Sequence, residues 1–183
     1  ASGRNLPGLI AALNKAGNLQ PLSVDLTQAE REELLKQAAT TGNARRGAEI
    51  FRREVTGCLR CHQVGTQGGK VGPDMTSIGA YAQPAAILES ILNPNKDIKQ
   101  GYETIILTRS DDTTVAGILQ RQSDVATILR DANDELIAVP TAEVKGSTKS
   151  PVSLMPPGLT ATLRKDELID LMRYLTSLGS QKK

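Results

Sequence analysis

The residues best suited to chemistry lie together in the stretch TGCLRCHQVG, residues 56–65. Cys58 and Cys61 stand three positions apart, and His62 follows directly. The chain of 183 residues has two cysteines and one histidine, so all of its thiols and its only imidazole fall within five positions. Thiols and imidazole are the groups that bind zinc, exchange disulfides and anchor haem. The spacing therefore predicts a metal, redox or haem site in this stretch.

Three interpretations of C-L-R-C-H are open. A structural zinc site takes about four Cys or His ligands, and the adjacent Cys61 and His62 are poorly placed to face one ion. A dithiol of the thioredoxin kind usually follows a strand and opens a helix, whereas here a helical pattern precedes the motif. In covalent haem attachment, two thiols on one turn each add to a vinyl group of the haem, and the imidazole of the next residue binds the iron. The spacing fits this third interpretation best.

The segments around the motif support a haem site. Asn43 is a favourable N-cap for a helix that we expect to end at Gly57, just before the first cysteine. The glycine-rich stretch GTQGGKVGPDMTSIG follows the motif, and such a loop lets backbone lie flat against a macrocycle. The stretch KDELIDLMRYLTSLG predicts a terminal helix that stops at Gly179. Its apolar side consists of Leu168, Leu171, Met172 and Leu175.

The composition excludes several classes of function. The chain has 22 basic and 20 acidic residues, a net charge of +2, which argues against a nucleic-acid footprint. No apolar run approaches the roughly 18 residues that span a bilayer. The opening ASGRNLPG lacks a charged and then apolar leader, so we expect a mature chain or an excised domain. Aromatic residues are only 2% of the chain, which favours another large, flat group in the interior.

The middle of the chain changes from helical to alternating periodicity. Residues 84–92 predict a helix with Pro84 in its first turn. Four β-rich runs separated by polar turns then predict an antiparallel meander over about 101–149, with AEVKGST as a candidate fifth strand. We interpret this β insertion as a lid over one haem edge rather than as a docking surface for a redox partner. The reason is that no cluster of aromatic or charged residues marks a docking site.

The first 42 residues predict a helical extension outside the haem motifs. LPGLIAALNKAG and TQAEREELLKQAATTG suggest two helices. The second helix begins with Thr27 and with Glu30 three residues later, the pattern of a capping box. We find no residues suited to chemistry in this extension.

Several motifs in one order resemble a known family. G-x-x-x-F, C-x-x-C-H, G-P-D, M-P and a terminal L-x-x-Y-L are similar to class I cytochrome c. The stretches RRGAEIFRRE, VGPDMTSIG, ILESILNPNKDIKQGYET, SLMPPGL and ELIDLMRYL resemble more closely the haem-binding domain of the Pirellula/Verrucomicrobium type. The resemblance covers about residues 43–178. It implies a mainly α, cytochrome c-like haem domain over 43–183 that contains the β insertion.

The resemblance also implies roles for individual residues. Cys58 and Cys61 match the thioether cysteines, and His62 matches the proximal ligand of the iron. Pro73 matches the proline whose backbone carbonyl accepts a hydrogen bond from that imidazole and so fixes its orientation. Met155 matches the distal ligand.

Two further features follow from the same resemblance. In the family, the N-terminal and C-terminal helices cross at a small residue and an aromatic, which Gly47, Phe51 and Tyr174 match. Arg164 departs from the family, because a Ser or Thr cap is common at that place. We therefore expect no capping box with Glu167, and a less rigid start of the terminal helix.

The sixth iron ligand can be weighed from the residues themselves. A second histidine does not exist in this chain, and a buried neutral lysine is costly. Met172 belongs to the apolar side of a helix and is most simply core. Met75 suits a gap-filling role against the haem. Met155 lies in a loop stiffened by two prolines, which lowers the entropy lost on ligation, so we favour it over Met75 and over an open or water-bound iron.

These expectations lead to one function and one rival. An iron with both axial positions filled transfers single electrons and has little room for substrate. We therefore expect a mono-haem c-type cytochrome domain with one covalent haem c, an electron carrier rather than an enzyme. Its partner would be a redox protein or an adjoining dehydrogenase domain, and its compartment the bacterial periplasm. The alternative is a haem peroxidase or a gas-binding domain with a labile distal ligand.

Overall fold

The computed structural model describes residues 26–180, which contain six α-helices, five β-strands and two 3₁₀ helices. The helices are α1 Gln28–Thr40, α2 Ala44–Arg52, α3 Cys58–Cys61, α4 Ile78–Tyr81, α5 Pro84–Leu92 and α6 Lys165–Ser177. The strands are β1 Thr104–Arg109, β2 Thr114–Gln122, β3 Ala126–Arg130, β4 Leu136–Pro140 and β5 Val144–Lys149. The 3₁₀ helices are Thr141–Glu143 and Leu159–Thr162. The helix expected in LPGLIAALNKAG lies outside the described residues.

The expectation of a mainly α, cytochrome c-like fold is wrong. Helix accounts for 38% and strand for 22% of the described residues, so the fold is mixed α/β. The reason is that all five β-rich runs find partners and form one antiparallel sheet in the order β4-β3-β2-β1-β5. The predicted meander is confirmed for β1 to β4, and AEVKGST contains β5. However, β5 returns past the others and pairs with β1, where Leu107 lies opposite Ser147.

The helices share one apolar core, which we call the helical body. Leu34 and Ala38 of α1 are buried in it, so the described part of the N-terminal extension packs on the same core as the other helices. All four apolar residues expected on the terminal helix are buried. The core consists of Leu34, Ala38, Ile50, Phe51, Ile87, Leu88, Leu92, Leu163, Leu168, Leu171, Met172, Tyr174 and Leu175.

Helices α2 and α6 cross in close contact, as the family resemblance implies. A Cβ built at Gly47 would lie 2.7 Å from Tyr174 Cβ and closer still to the Asp170 carbonyl oxygen, so the crossing requires glycine there. The rings of Phe51 and Tyr174 lie 5.7 Å apart at a tilt of 58°. The buried Asp170 carboxylate accepts the Asn43 N–H at 2.7 Å and pairs with the Arg46 guanidinium at 2.7 Å.

Capping residues set the starts of the helices. The reciprocal hydrogen bonds of Thr27 and Glu30 confirm the capping box of α1. The Asn43 side chain caps α2 by accepting the N–H groups of Arg45 and Arg46, although α2 ends at Arg52, earlier than expected. The expected stop of α6 is confirmed, because Gly179 has a φ of 73° just beyond the last turn.

The start of α6 is firmer than expected. The Glu167 carboxylate accepts the Arg164 N–H at 3.0 Å, the half of a capping box that a glutamate can supply. An arginine side chain has no acceptor for the other half. Glu167 also binds the Arg53 guanidinium at 2.6 Å, which ties α6 to the turn that follows α2.

The sheet has a small core of its own, formed by Leu107, Leu129 and Val139. Leu107 pairs with Val115 on β2, and Leu129 pairs with Ile137 on β4, so these side chains share one face of the sheet. None of the helices within residues 26–180 is both long enough and apolar enough to cross a membrane.

Candidate functional site

Helix α3 presents the two cysteines on one turn. Gly57 adopts a left-handed conformation, with a φ of 66°, and so reverses the chain between the end of α2 and the start of α3. Cys58 and Cys61 are both free thiols and both half-buried. The His62 N–H closes the turn on the Cys58 carbonyl at 2.9 Å. The two cysteines therefore lie at the ends of one helical turn, and His62 follows directly as its C-cap.

Burial raises the pKa of both thiols. For Cys58, the loss of solvent outweighs the hydrogen bond to Thr56. For Cys61, burial comes first, followed by Arg60, which lowers the pKa, and Asp134, which raises it. Reactive dithiols of redox proteins have lowered pKa values, because the thiolate is the nucleophile. The surroundings of these cysteines therefore differ from those of a dithiol oxidoreductase.

The imidazole of His62 is fixed by backbone. Its Nδ1 lies 2.9 Å from the Pro73 carbonyl oxygen, which is the contact that the family resemblance implies. Burial lowers the pKa of His62, and the hydrogen bond to Pro73 opposes this shift. A Cβ at Gly72 would lie 2.6 Å from Nδ1 and 2.9 Å from Nε2, so only glycine leaves room for the ring. With Nδ1 engaged by Pro73, Nε2 is the nitrogen left for a ligand.

The glycine-rich loop folds back on the motif. The Gly69 N–H donates to the Leu59 carbonyl at 3.0 Å, and the Gly72 N–H donates to the Cys61 carbonyl at 2.8 Å. These backbone bonds bring Pro73 beside His62, although eleven positions separate the two residues. We call residues 57–75 the attachment loop.

The sheet contacts the attachment loop through the turn between β3 and β4. The Asp134 carboxylate accepts the Lys70 N–H with both oxygens at 3.2 Å and pairs with Arg130 at 2.7 Å. The neighbouring Asn133 accepts a hydrogen bond from Arg60 at 3.2 Å. The β insertion therefore reaches the loop that holds the cysteines, which is consistent with a lid. Its role in covering a haem stays a prediction.

The three methionines have different surroundings. Met172 is fully buried in the helical body, which confirms the prediction that it belongs to the core. Met75 is half-buried and packs against the same core. Met155 is half-buried in the loop between β5 and the second 3₁₀ helix, and within the described part of the chain it belongs to neither core. Of the three methionines, Met155 is therefore the one whose thioether takes no part in packing either core.

The structure brings together four of the five residues predicted for the site. Cys58, Cys61, His62 and Pro73 lie on the attachment loop, whereas Met155 lies on a separate segment. Two residues with a bearing on the site, Asp134 and Asn95, were not predicted. Each contacts a segment about 60 residues away in sequence, and no local motif signals such a contact.

The donor groups suit haem attachment better than zinc. Among residues 26–180, no three His, Cys, Asp or Glu side chains form a cluster able to hold a metal ion. Two free thiols on one turn and an imidazole with a fixed ring are, by contrast, the groups that a covalent haem uses.

Comparison with known proteins does not identify the chain. No family model matches the sequence, and a search of curated proteins finds no match either. The resemblance to haem-binding domains therefore stays a prediction that rests on the motifs.

Proposed function

We propose that this chain is a one-electron carrier with a single haem c attached through Cys58 and Cys61. His62 and Met155 would be the axial ligands of the iron. The observation that carries the proposal is the attachment loop itself, where two free thiols share one turn and the next residue's Nδ1 lies 2.9 Å from the Pro73 carbonyl. A hydrogen bond of this kind fixes the tautomer and the ring orientation of a ligand histidine.

His62 is held in an orientation that suits its proposed role as the proximal ligand. The Pro73 carbonyl holds the Nδ1–H, so Nε2 carries the lone pair that a metal requires. The absent Cβ at Gly72 leaves space beside the ring. Backbone hydrogen bonds from Gly69 and Gly72 to carbonyl groups of α3 hold His62 and Pro73 side by side. This limits the rearrangement needed when an iron binds.

The distal side is proposed from the surroundings of the methionines. Met172 fills the helical body, and Met75 packs against it, so their thioethers contribute to packing. Met155 has no such role, and it is followed directly by Pro156 and Pro157, which restrict the loop. We therefore propose Met155, rather than Met75 or Met172, as the distal ligand.

This ligand set favours electron transfer over catalysis. A bound haem would supply an iron that alternates between the ferric and ferrous states, and ligation by methionine would raise its potential. Two protein ligands leave little room for substrate, which favours a carrier over a peroxidase or gas-binding domain. The partner would be a redox protein or an adjoining dehydrogenase domain. By resemblance to c-type cytochromes, the compartment would be the bacterial periplasm or a site that faces it.

Mass spectrometry tests the covalent attachment. We expect protein matured in a bacterium that attaches haem c to keep one haem through denaturation and acid extraction. The paired variant with Cys58→Ala and Cys61→Ala is the control and should lose haem under the same treatment. Haem that partitions into organic solvent from the unmodified protein would overturn the proposal.

Two methionine variants test the distal ligand. Replacing Met155 by Ala should remove the ferric sulfur-to-iron charge-transfer band, lower the midpoint potential and open the iron to carbon monoxide. Replacing Met75 by Leu keeps an apolar side chain against the core and should leave the band in place. Loss of the band in the Met75 variant alone would show that the distal assignment is wrong. Ready binding of carbon monoxide by the unmodified protein would favour a gas-binding or peroxidase function instead.

A further inference from the structure

The loop that contains Met155 has little regular structure but several hydrogen bonds. We call residues 150–157 the distal loop. It leaves β5 after Lys149 and enters the second 3₁₀ helix at Leu159. A loop without regular structure must satisfy its backbone groups through side chains, other segments or water. Its partners therefore show what holds Met155.

A relay of two hydrogen bonds connects Met155 to Asn95. The Asn95 Oδ1 accepts the Ser153 N–H at 2.9 Å. The Ser153 Oγ in turn accepts the Met155 N–H at 3.1 Å. Asn95 and Pro157 also line the same cleft, which has a volume of about 480 Å³. Asn95 thus lies against the distal loop, 58 positions away in sequence.

The segment that holds Asn95 is itself anchored to the helical body. Asn93 caps the C-terminus of α5, where its N–H donates to the Glu89 carbonyl at 2.8 Å. Pro94 is buried, and the Lys96 N–H closes a turn on the Asn93 carbonyl at 3.0 Å. Helix α5 places Leu88 and Leu92 in the core, where they are almost fully buried. Asn95 therefore connects the end of α5, which is anchored in the core, to the distal loop.

Strand β1 holds the other end of the distal loop. The Thr104 hydroxyl donates to the Val152 carbonyl at 2.8 Å, and the Ser150 N–H donates to the Thr104 carbonyl at 2.8 Å. Thr104 is 5% exposed, so this anchor is shielded from water. Thr104 and Asn95 together bind three residues of the distal loop that precede Met155, namely Ser150, Val152 and Ser153.

We propose that Asn95 is a positioning residue for the distal ligand. This inference rests on the proposed ligation by Met155. Without Asn95, the Ser153 N–H loses its side-chain acceptor, and residues 153–155 can adopt more conformations. Because a freer thioether must lose more conformational entropy on binding the iron, the ligated fraction falls. Asn95 raises the occupancy of the Met155–iron bond without touching the iron.

Three variants separate positioning from a general loss of stability. Asn95→Ala removes the acceptor, whereas Asn95→Asp retains an oxygen at the same place. Asn93→Ala is the matched control, because it removes an asparagine two positions away whose side chain bonds to Glu89 rather than to the distal loop. Each variant is produced as haem-loaded protein. The readouts are the sulfur-to-iron charge-transfer band, the rate of carbon monoxide binding and the exchange of the Ser153 amide hydrogen.

The expected results differ among the three variants. Asn95→Ala should speed Ser153 exchange roughly fivefold, the effect of one lost hydrogen bond, and should increase the rate of carbon monoxide binding by a similar factor. It should also weaken the charge-transfer band. Asn95→Asp and Asn93→Ala should leave the band and the Ser153 exchange close to those of the unmodified protein.

The outcomes distinguish this inference from the proposed function. If the unmodified protein shows the band and Asn95→Ala changes neither the band nor Ser153 exchange, Asn95 does not position the loop. If Asn93→Ala weakens the band as much as Asn95→Ala does, the effect is one of general stability and the inference is wrong. If the unmodified protein lacks covalent haem, the proposed function is wrong, and Ser153 exchange alone decides whether Asn95 holds the loop.

Discussion

The helical body and the sheet differ in the size of their apolar cores. The helical body buries residues from α1, α2, α5 and α6 in one continuous core. The core of the sheet consists of three fully buried side chains, Leu107, Leu129 and Val139, with half-buried residues around them. Since burial of apolar surface is the main favourable term in folding, most of the stability of the described chain resides in the helical body.

This difference explains where the candidate site lies. The attachment loop is part of the helical body, because Cys58, Leu59 and Met75 pack against its core. The sheet reaches the same loop through hydrogen bonds at Asp134 and Asn133. A rigid core thus supports the groups suited to chemistry, while the sheet adds hydrogen bonds from outside. Four predictions test this division, in order of decreasing effect.

The largest expected effect compares two leucines that are both fully buried. Leu168 lies in the helical body and Leu129 in the core of the sheet, each with 0% exposure. Leu168→Ala should lower the free energy of unfolding by about 4 kcal/mol, and Leu129→Ala by about 2 kcal/mol, because a small core with a half-exposed rim collapses more easily around a cavity. Denaturant unfolding measures both values. A greater loss from Leu129→Ala would contradict the proposed division of stability.

The second prediction concerns two glycines. Gly47 lies in α2 against α6, and a Cβ there would come within 2.6 Å of the Asp170 carbonyl carbon. Helix propensity alone would make Gly47→Ala stabilising by about 1 kcal/mol. We expect a loss of about 3 kcal/mol instead, because the two helices must separate to admit the methyl group.

The control for this prediction is Gly146→Ala in β5. A Cβ at Gly146 would meet nothing within 4 Å, so this change should have little effect on the midpoint of thermal unfolding. A stabilised Gly47→Ala protein would show that α2 and α6 are packed less closely than the structure indicates.

The sequence predicted local features well and long-range pairing poorly. Caps and punctuating residues located the start of α2 at Asn43 and the stop of α6 at Gly179, since these signals act within one turn. Alternating periodicity located the five strands. It did not indicate that β5 pairs with β1, because pairing over some forty residues depends on the whole sheet. The fold class was wrong for a different reason: the sheet was counted as an insertion in a helical domain, although strand makes up 22% of the described residues.

The candidate site shows the same contrast. The motif itself located Cys58, Cys61 and His62, and the family resemblance supplied Pro73, whose contact with His62 the structure confirms. The contact between Asp134 and Lys70 could not be predicted, because the two residues are 64 positions apart and both resemble ordinary surface residues in sequence.

The third prediction concerns the contact between the sheet and the attachment loop. Asp134→Ala removes the acceptor for the Lys70 N–H and the partner of Arg130, and should lower the free energy of unfolding by roughly 2 kcal/mol. Amide exchange at Lys70 should become faster. Asp112→Ala is the matched control, because Asp134 and Asp112 both have a positive φ, of 70° and 64°, while the ion pair of Asp112 with Lys145 is exposed. An equal loss from both variants would indicate backbone strain rather than a specific contact.

The smallest effect is a pH dependence at the edge of the sheet. Glu103 precedes β1, where its carboxylate binds Lys149 of β5 at 2.6 Å and accepts the Gly101 N–H at 2.6 Å. The hydrogen bond from Lys149 is the main cause that lowers the pKa of Glu103 from 4.5 to about 2. A lowered pKa means that the ionised form stabilises the folded protein above pH 4.5, and that this contribution is lost as the pH falls toward 2.

We therefore expect the Glu103 carboxyl carbon to titrate well below pH 4.5 when it is followed by NMR. Glu103→Gln should make the unfolding midpoint less dependent on pH between about 4.5 and 2, whereas Lys149→Met should return the pKa of Glu103 toward its ordinary value. The effect should be small, because exposed ion pairs contribute little to stability. Titration of Glu103 near pH 4.5 in the unmodified protein would show that the pair does not persist in solution. The link between β1 and β5, and with it the anchoring of the distal loop by the sheet, would then depend on backbone hydrogen bonds and Thr104 alone.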